Sequence, residues 1–108
     1  MAYEAVHKFA RISPQKARLM ADLIRGKFAD EALEILMYQP HRGARMLEKV
    51  LKSALANAED RREANLGMLM VTEVRVDVGP MAKRMRPKAR GMSSIIKKRT
   101  SHIRVALG

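Results

Sequence analysis

Residues 68–107, MLMVTEVRVDVGPMAKRMRPKARGMSSIIKKRTSHIRVAL, contain two stretches in which apolar and polar side chains alternate. The first covers residues 68–78 and the second covers residues 101–107. Alternation with a period of two predicts β-strands that bury one face. Two such strands around a segment rich in glycine and proline predict an antiparallel hairpin. The face expected to pack on helices comprises Met68, Met70, Val74, Val76, Val78, Ser101, Ile103, Val105 and Leu107.

The segment between these strands, residues 79–100, is strongly basic. From residue 80 onward the chain carries nine Lys and Arg side chains and no Asp or Glu, whereas residues 1–79 hold the other 13 basic and all 11 acidic side chains. So many like charges cannot be buried in a protein core, which predicts either a solvated tail or one side of an interface with a polyanion. Because a strand pattern resumes after the basic run, we favour the interface and predict a hairpin arm over residues 79–100.

The arm is expected to extend about nine residues beyond the core, or roughly 30 Å at ~3.3 Å per residue. A two-stranded ribbon is marginal in water, so we expect the arm to be mobile when free and ordered when bound. Alternation places Arg84 and Arg86 on one side, while consecutive residues 97–99 present charge to both sides. Charge on both faces favours insertion among several phosphate backbones of a folded RNA. The arm has no aromatic side chain, so it should contact the phosphate backbone and recognise the shape of the RNA rather than stack on its bases.

A helix is predicted over residues 14–25. Ser13 supplies an N-cap hydroxyl, Pro14 occupies the first helical position, and Gly26 supplies the C-terminal stop. The apolar side chains expected to face the core are Ala17, Leu19, Met20, Ala21, Leu23 and Ile24. A short strand over residues 3–12 is predicted before this helix.

Acidic side chains within residues 30–34 predict the start of a second, short helix, which Pro40 ends. A continuous apolar stripe predicts a third helix over residues 42–60. The opposite, basic face is either a second contact surface for a polyanion or an ordinary solvated face; it consists of Arg42, Arg45, Lys49 and Lys52. Together the patterns predict one α+β domain over residues 1–108, with three helices packed on a small antiparallel sheet and a long protruding β-hairpin.

Composition narrows the class of partner. A net charge of +11 and a pI near 10.7 favour nucleic acid over an anionic membrane, because the basic segment lacks the large apolar side chains of a membrane-surface helix. The chain has no cysteine, which favours a reducing, intracellular setting. Its first residues do not resemble a signal peptide, and no apolar run approaches the ~20 residues of a membrane helix. We therefore expect a cytoplasmic protein.

No catalytic or metal-binding constellation is visible. His7, His41 and His102 are far apart in the sequence, show no metal-ligand spacing and have no cysteine to join them. We therefore predict no enzymatic activity, no metal, no cofactor and no small-molecule substrate, with a small nuclease as the enzyme alternative. The alternative binding function is that of an architectural DNA-binding protein that inserts its basic β-arm into a groove.

Five motifs resemble the ribosomal protein L twenty-two family of the large subunit, in order and over essentially the whole chain. They are RISPQKAR at residues 11–18, DLIRGK at 22–27, SALANAE at 53–59, VDVGP at 76–80 and KRTSHI at 98–103. The resemblance implies a protein that binds large-subunit rRNA, aids assembly, and lines the peptide exit tunnel with its hairpin. It also implies contacts with neighbouring ribosomal proteins and the nascent peptide, and a monomer within the ribosome.

The resemblance also implies site residues. The RNA-contacting positions are Lys83, Arg84, Arg86, Lys88, Arg90, Lys97, Lys98, Arg99 and His102 in and beside the arm, and Lys16, Arg18 and Arg25 in the globular part. The tunnel-lining positions are Met81, Ala82, Lys83, Arg84, Met85, Arg86, Pro87, Lys88, Ala89 and Arg90. The chain departs from the family at Lys88 and Met92, where the family usually has arginine. Lysine cannot make the bidentate phosphate contact of arginine, so contacts at the tip are expected to differ.

Overall fold

The computed structural model describes residues 3–62, 66–87, 89–91 and 93–108. Within these ranges, five strands and three α-helices follow one another in the order β1, α1, α2, α3, β2, β3, β4 and β5. Their bounds are β1 Tyr3–Ala10, α1 Pro14–Ile24, α2 Ala29–Met37, α3 Arg42–Asp60, β2 Val71–Val78, β3 Ala82–Pro87, β4 Ser93–Lys98 and β5 Ser101–Leu107. The fold class predicted from the sequence, α+β with three helices on a small antiparallel sheet, is confirmed.

The main sheet has three antiparallel strands in the order β1-β5-β2, with β5 in the centre. The predicted pairing of the two alternating stretches is confirmed, since Val76 lies opposite Ile103 and Val78 lies opposite Ser101. On the central strand every second side chain from Ser101 to Leu107 is buried. The hydroxyl of the fully buried Ser101 donates to the carbonyl oxygen of Ile12 at 2.7 Å, which satisfies this polar group inside the core.

The helices cover one face of this sheet, with α3 on β1 and β5 and with α1 on β2. Helix α1 begins as predicted: the Ser13 hydroxyl accepts a hydrogen bond from the backbone N–H of Lys16 at 3.4 Å, and Pro14 takes the first position. Gly26, with a φ of 81°, provides the left-handed residue after the helix. Helix α3 buries its apolar stripe, including Leu47 and Leu51, against the sheet.

Several boundaries differ from the predictions. Met68 lies in a 3₁₀ turn and is 68% exposed, Met70 makes only an isolated bridge to Phe28, and Val78 is 70% exposed. The buried face of β2 is therefore shorter than the alternation predicted. Two side chains of α1 that the pattern placed in the core are also exposed, Leu19 at 61% and Leu23 at 39%.

The arm is a two-stranded sheet of β3 and β4 that is separate from the main sheet. The prediction that the strands of the main hairpin continue without a break into the arm is therefore wrong. Residues 79–81 separate β2 from β3, and residues 99–100 separate β4 from β5. The molecule measures 64 × 24 × 17 Å, and its Cα radius of gyration of 16.8 Å exceeds the ~13 Å expected of a compact 100-residue domain. The protruding arm accounts for this elongation.

Candidate nucleic-acid interface

The predicted RNA-contacting residues of the arm are exposed. Lys83, Arg84 and Arg86 lie on β3, Lys97 and Lys98 on β4, Arg90 in the turn between them, and Arg99 at the base. Lys88 and Met92 lie outside the described residues. Of the predicted tunnel-lining residues that carry no charge, Met85 is 72% exposed and Met81 is 45% exposed. Within the described part of the arm, no cation forms an ion pair with an acidic side chain.

The β3–β4 register places positive charge on both faces of the arm. Lys83 lies directly opposite Lys97, and Ala82 lies opposite Lys98, so the two lysines of β4 belong to different faces. Arg84 and Arg86 share the face of Lys98 because they follow Ala82 at intervals of two. Like charges directly opposite each other destabilise a strand pair. The arm therefore gains stability when a polyanion neutralises it.

A backbone clamp joins the arm to the globular part. The N–H of Gly79 donates to the carbonyl oxygen of Thr100 at 3.0 Å, and the Thr100 hydroxyl donates to the carbonyl oxygen of Pro80 at 2.6 Å. A Cβ atom at position 79 would lie 2.5 Å from the Thr100 hydroxyl oxygen and 3.2 Å from the Thr100 carbonyl. Only glycine permits this close crossing, and the crossing fixes where the arm leaves the body.

A cleft of about 1210 Å³ lies between the arm base and the N-terminal ends of α1 and α3. Among its described lining residues none is acidic, and its cations come from four separate stretches of the chain: Arg11, Lys16, Arg42, Arg84, Lys97, Lys98 and Arg99. The structure thus brings Lys16 together with four predicted arm residues. The sequence prediction did not assign Arg11 or His41 to the interface, because nothing in the linear pattern indicates that residues 11 and 41 adjoin the arm.

Arg18 and Arg25 bind the edge of the sheet. The guanidinium group of Arg18 donates to the carbonyl oxygen of Val76 at 2.9 and 3.3 Å, and that of Arg25 donates to Val74 at 2.9 Å and to Asp22 at 2.7 Å. These carbonyl groups lie on the side of β2 away from β5. The two arginines therefore satisfy an edge that would otherwise be open to another strand, and their contact with RNA stays a prediction.

The basic face of α3 is in part a structural device. Arg45 donates through Nη2 to the carbonyl oxygens of Leu36 and Met37, each at 2.9 Å, and to that of Gln39. Its Nη1 donates to Glu48 at 2.7 Å, and Lys52 pairs with the same carboxylate at 3.2 Å. Arg45 thereby caps the C-terminal end of α2. Arg45 and Lys52 are thus engaged by groups of the protein itself, and contact of this face with a polyanion stays a prediction.

His102 is held on the outer face of the sheet, away from the cleft. Its Nδ1 accepts a hydrogen bond from the backbone N–H of Phe9 at 3.1 Å, and the two rings meet edge to face at 4.9 Å. Asp77 is the cross-strand neighbour of His102. Two residues further along β5, a hydrogen bond to Glu4 and the negative charge of Glu4 raise the pKa of Arg104 above its usual value. The acidic groups make this face less attractive to phosphate than the cleft.

Metal-binding and membrane-spanning features were searched over the described ranges. No group of three or more His, Asp or Glu side chains there could hold a metal ion. None of the described helices is long and apolar enough to cross a membrane.

The chain is similar to known proteins over nearly its whole length. The family model of ribosomal protein L22p/L17e matches residues 5–108. The large ribosomal subunit protein uL22 of Rhodopirellula baltica is 62% identical over 110 residues, which cover 97% of this chain and 92% of the relative. The proteins of the same name from Rubrobacter xylanophilus and Desulforamulus reducens are 57% and 50% identical, covering 96% and 99% of this chain and 82% and 95% of the relatives.

Proposed function

Because the chain belongs to the ribosomal protein L22p/L17e family, we propose that it is a structural component of the large ribosomal subunit that binds rRNA through its arm and through the cleft at the arm base. Its role is then structural, not enzymatic. The observation that carries the proposal is the arm, whose described cations lie on both faces without an acidic partner.

Insertion into folded RNA explains the two-faced charge. An arm lying on a surface needs cations on one side only, whereas an arm between RNA helices meets phosphates on both sides. In such an interior the repulsion between Lys83 and Lys97 is offset by neighbouring phosphates. Because the arm contacts several RNA segments at once, it would hold them in place and so aid assembly of the subunit.

The finer part of the proposal concerns the tip. We infer that, of the predicted tunnel-lining residues 81–90, the part toward the tip, residues 85–90, reaches the peptide exit tunnel and contacts the nascent peptide, because Met81, Ala82 and Arg84 line the cleft at the arm base. The globular part then contacts neighbouring ribosomal proteins as a monomer. The length of the molecule, 64 Å, supports a reach well beyond the globular part. The exposed side chain of Met85 supports an apolar contact at the tunnel wall.

Co-sedimentation with large subunits tests the ribosomal assignment. The chain should stay with the subunit through a high-salt wash, because part of its arm is enclosed by RNA. Release of the chain into the soluble fraction would contradict the proposal. Duplex DNA as competitor tests the alternative of an architectural DNA-binding protein, which predicts that DNA displaces rRNA at equal phosphate concentration.

A photo-crosslinking amino acid at position 85 tests the tunnel contact. In ribosomes that carry a stalled nascent chain, we expect crosslinks from position 85 to that chain. The matched control is position 23 on α1, which is also apolar and exposed but lies on the globular part. Equal crosslinking from both positions, or none from position 85, would rule out the tunnel contact and leave the RNA-binding proposal standing.

A further inference from the structure

The cleft at the arm base combines cations with exposed apolar side chains. Leu19 is 61% exposed and Met81 is 45% exposed, and both line the cleft with Pro80. A site that only neutralises phosphate gains nothing from an exposed leucine, because apolar surface in contact with water is unfavourable. The apolar side chains therefore indicate a ligand with an apolar part as well as negative charge.

An imidazole ring also lines this cleft. His41 directly precedes α3 as its N-cap residue, but its side chain makes no capping hydrogen bond to the helix. Its ring is thus not committed to holding the helix end. In RNA-binding proteins, unstacked bases pack against aromatic rings, histidine included, and against arginine guanidinium planes. Arg42, the next residue, adds such a plane to the cleft lining.

The wall behind this surface is closely packed. Gly43 is buried, and a Cβ atom there would lie 3.0 Å from Ile12 Cδ1 and 3.4 Å from Met20 Cγ. The first turn of α3 therefore lies tightly against α1 and the chain before it. This wall of the cleft is formed before any ligand arrives, so binding does not have to order it.

We propose that the cleft holds an unpaired nucleotide of RNA, with its base against Leu19, Met81 and the ring of His41. The adjoining phosphates contact the cations that line the same cleft, Arg11, Lys16 and Arg42 among them. Charge complementarity selects RNA over an acidic peptide, because a nucleotide carries phosphates on both sides of each base, which matches a cleft lined by cations as well as by exposed apolar side chains. This assignment rests on the proposed function and specifies its ligand at one site.

The test uses the full-length protein and two RNA hairpins of equal charge. One hairpin carries a single unpaired 2-aminopurine between G·C pairs, and in the other every base is paired. We expect about tenfold tighter binding of the bulged hairpin, the lower end of what one stacked base contributes, together with a change in 2-aminopurine fluorescence. Leu19→Ser and His41→Ala should remove most of this preference while affinity for the paired hairpin is kept, and His41→Phe should restore it.

Leu23→Ser is the matched control. Leu23 lies one turn beyond Leu19 on α1, is 39% exposed and does not line the cleft, so the preference should be unchanged. Equal affinity for both hairpins, or a preference unaffected by Leu19→Ser and His41→Ala, would overturn the inference. So would displacement of the bulged hairpin by polyglutamate as effectively as by unlabelled hairpin. In each of these outcomes the paired hairpin still binds, so the proposed RNA-binding function survives.

Discussion

At the scale of single residues, Arg18, Arg25 and Arg45 have backbone carbonyl groups as partners. Arg18 and Arg25 hold the open edge of β2, and Arg45 holds the last carbonyls of α2. All three belong to a strongly basic protein, and in the sequence nothing distinguishes them from cations that would bind a polyanion. What distinguishes them is that their guanidinium groups already donate hydrogen bonds within the protein.

Replacement of Arg45 tests this distinction. Arg45→Ala leaves carbonyl groups at the end of α2 without their charged donor, so we expect the free energy of unfolding to fall by about 1–2 kcal/mol. The expected loss is no larger because the Arg45 side chain is about half exposed and solvent screens its charge. Affinity for rRNA should change little at temperatures where the variant is folded. Lys49→Ala on the same helix face is the control, with an expected change below ~0.5 kcal/mol. Urea unfolding measures both; a fully stable Arg45→Ala variant with weakened RNA binding would assign Arg45 to the interface instead.

Replacement of Gly79 tests the clamp at the arm base. In Gly79→Ala the new Cβ meets the Thr100 hydroxyl and backbone, so the crossing must open and the arm must leave the body in a different direction. We expect reduced incorporation into large subunits with a small change in the unfolding temperature. Gly67→Ala is the control, because a Cβ there meets nothing within 4 Å. Equal incorporation of the two variants would show that the arm direction tolerates the change.

At the scale of elements, capping residues, acidic first-turn residues and periodicity together predicted the helices, and periodicity predicted the pairing of β2 with β5. Periodicity predicted the wrong burial for apolar residues that have no core beside them, such as Leu19 and Met68, which are exposed. It could not predict the cleft, because the lining residues belong to four stretches that only the fold brings together. Nor could it separate the β3–β4 arm from the main sheet, since the interruption depends on the crossing of Gly79 and Thr100.

The repulsion across the arm can be tested by charge reversal. Lys97→Glu places a carboxylate opposite Lys83, which should stabilise the β3–β4 pairing of the free protein by about 0.2–1 kcal/mol and slow its amide hydrogen exchange. Lys83→Glu should act in the same way. The double variant places two carboxylates opposite each other, and exchange should become fast again. Three equal exchange rates would mean that the two side chains do not interact.

At the scale of the whole molecule, the hydrophobic core and most of the net positive charge lie in different parts of the chain. The core lies in β1, β5, β2 and the helices, while β3 and β4 pair only with each other. Residues 82–98 hold seven of the 22 Lys and Arg residues and no acidic residue, so the chain without them has a net charge of +4 instead of +11. The arm therefore supplies most of the net positive charge and little of the hydrophobic core.

A variant with residues 82–98 replaced by a short Gly-Ser turn tests this separation. Its free energy of unfolding should stay within about 1 kcal/mol of the parent, because β2 and β5 remain paired as far as Val78 and Ser101. Its affinity for large-subunit rRNA should depend far less on salt. Each cation in contact with phosphate lowers log K by about 0.7–0.9 per tenfold increase in salt, so removal of seven such contacts should reduce the steepness by about 5–6. Only the contribution of cations outside residues 82–98, such as Arg11, Lys16 and Arg42 of the cleft, would then be left. A slope that stays near the parent value would mean that the globular part, not the arm, carries the contacts with RNA.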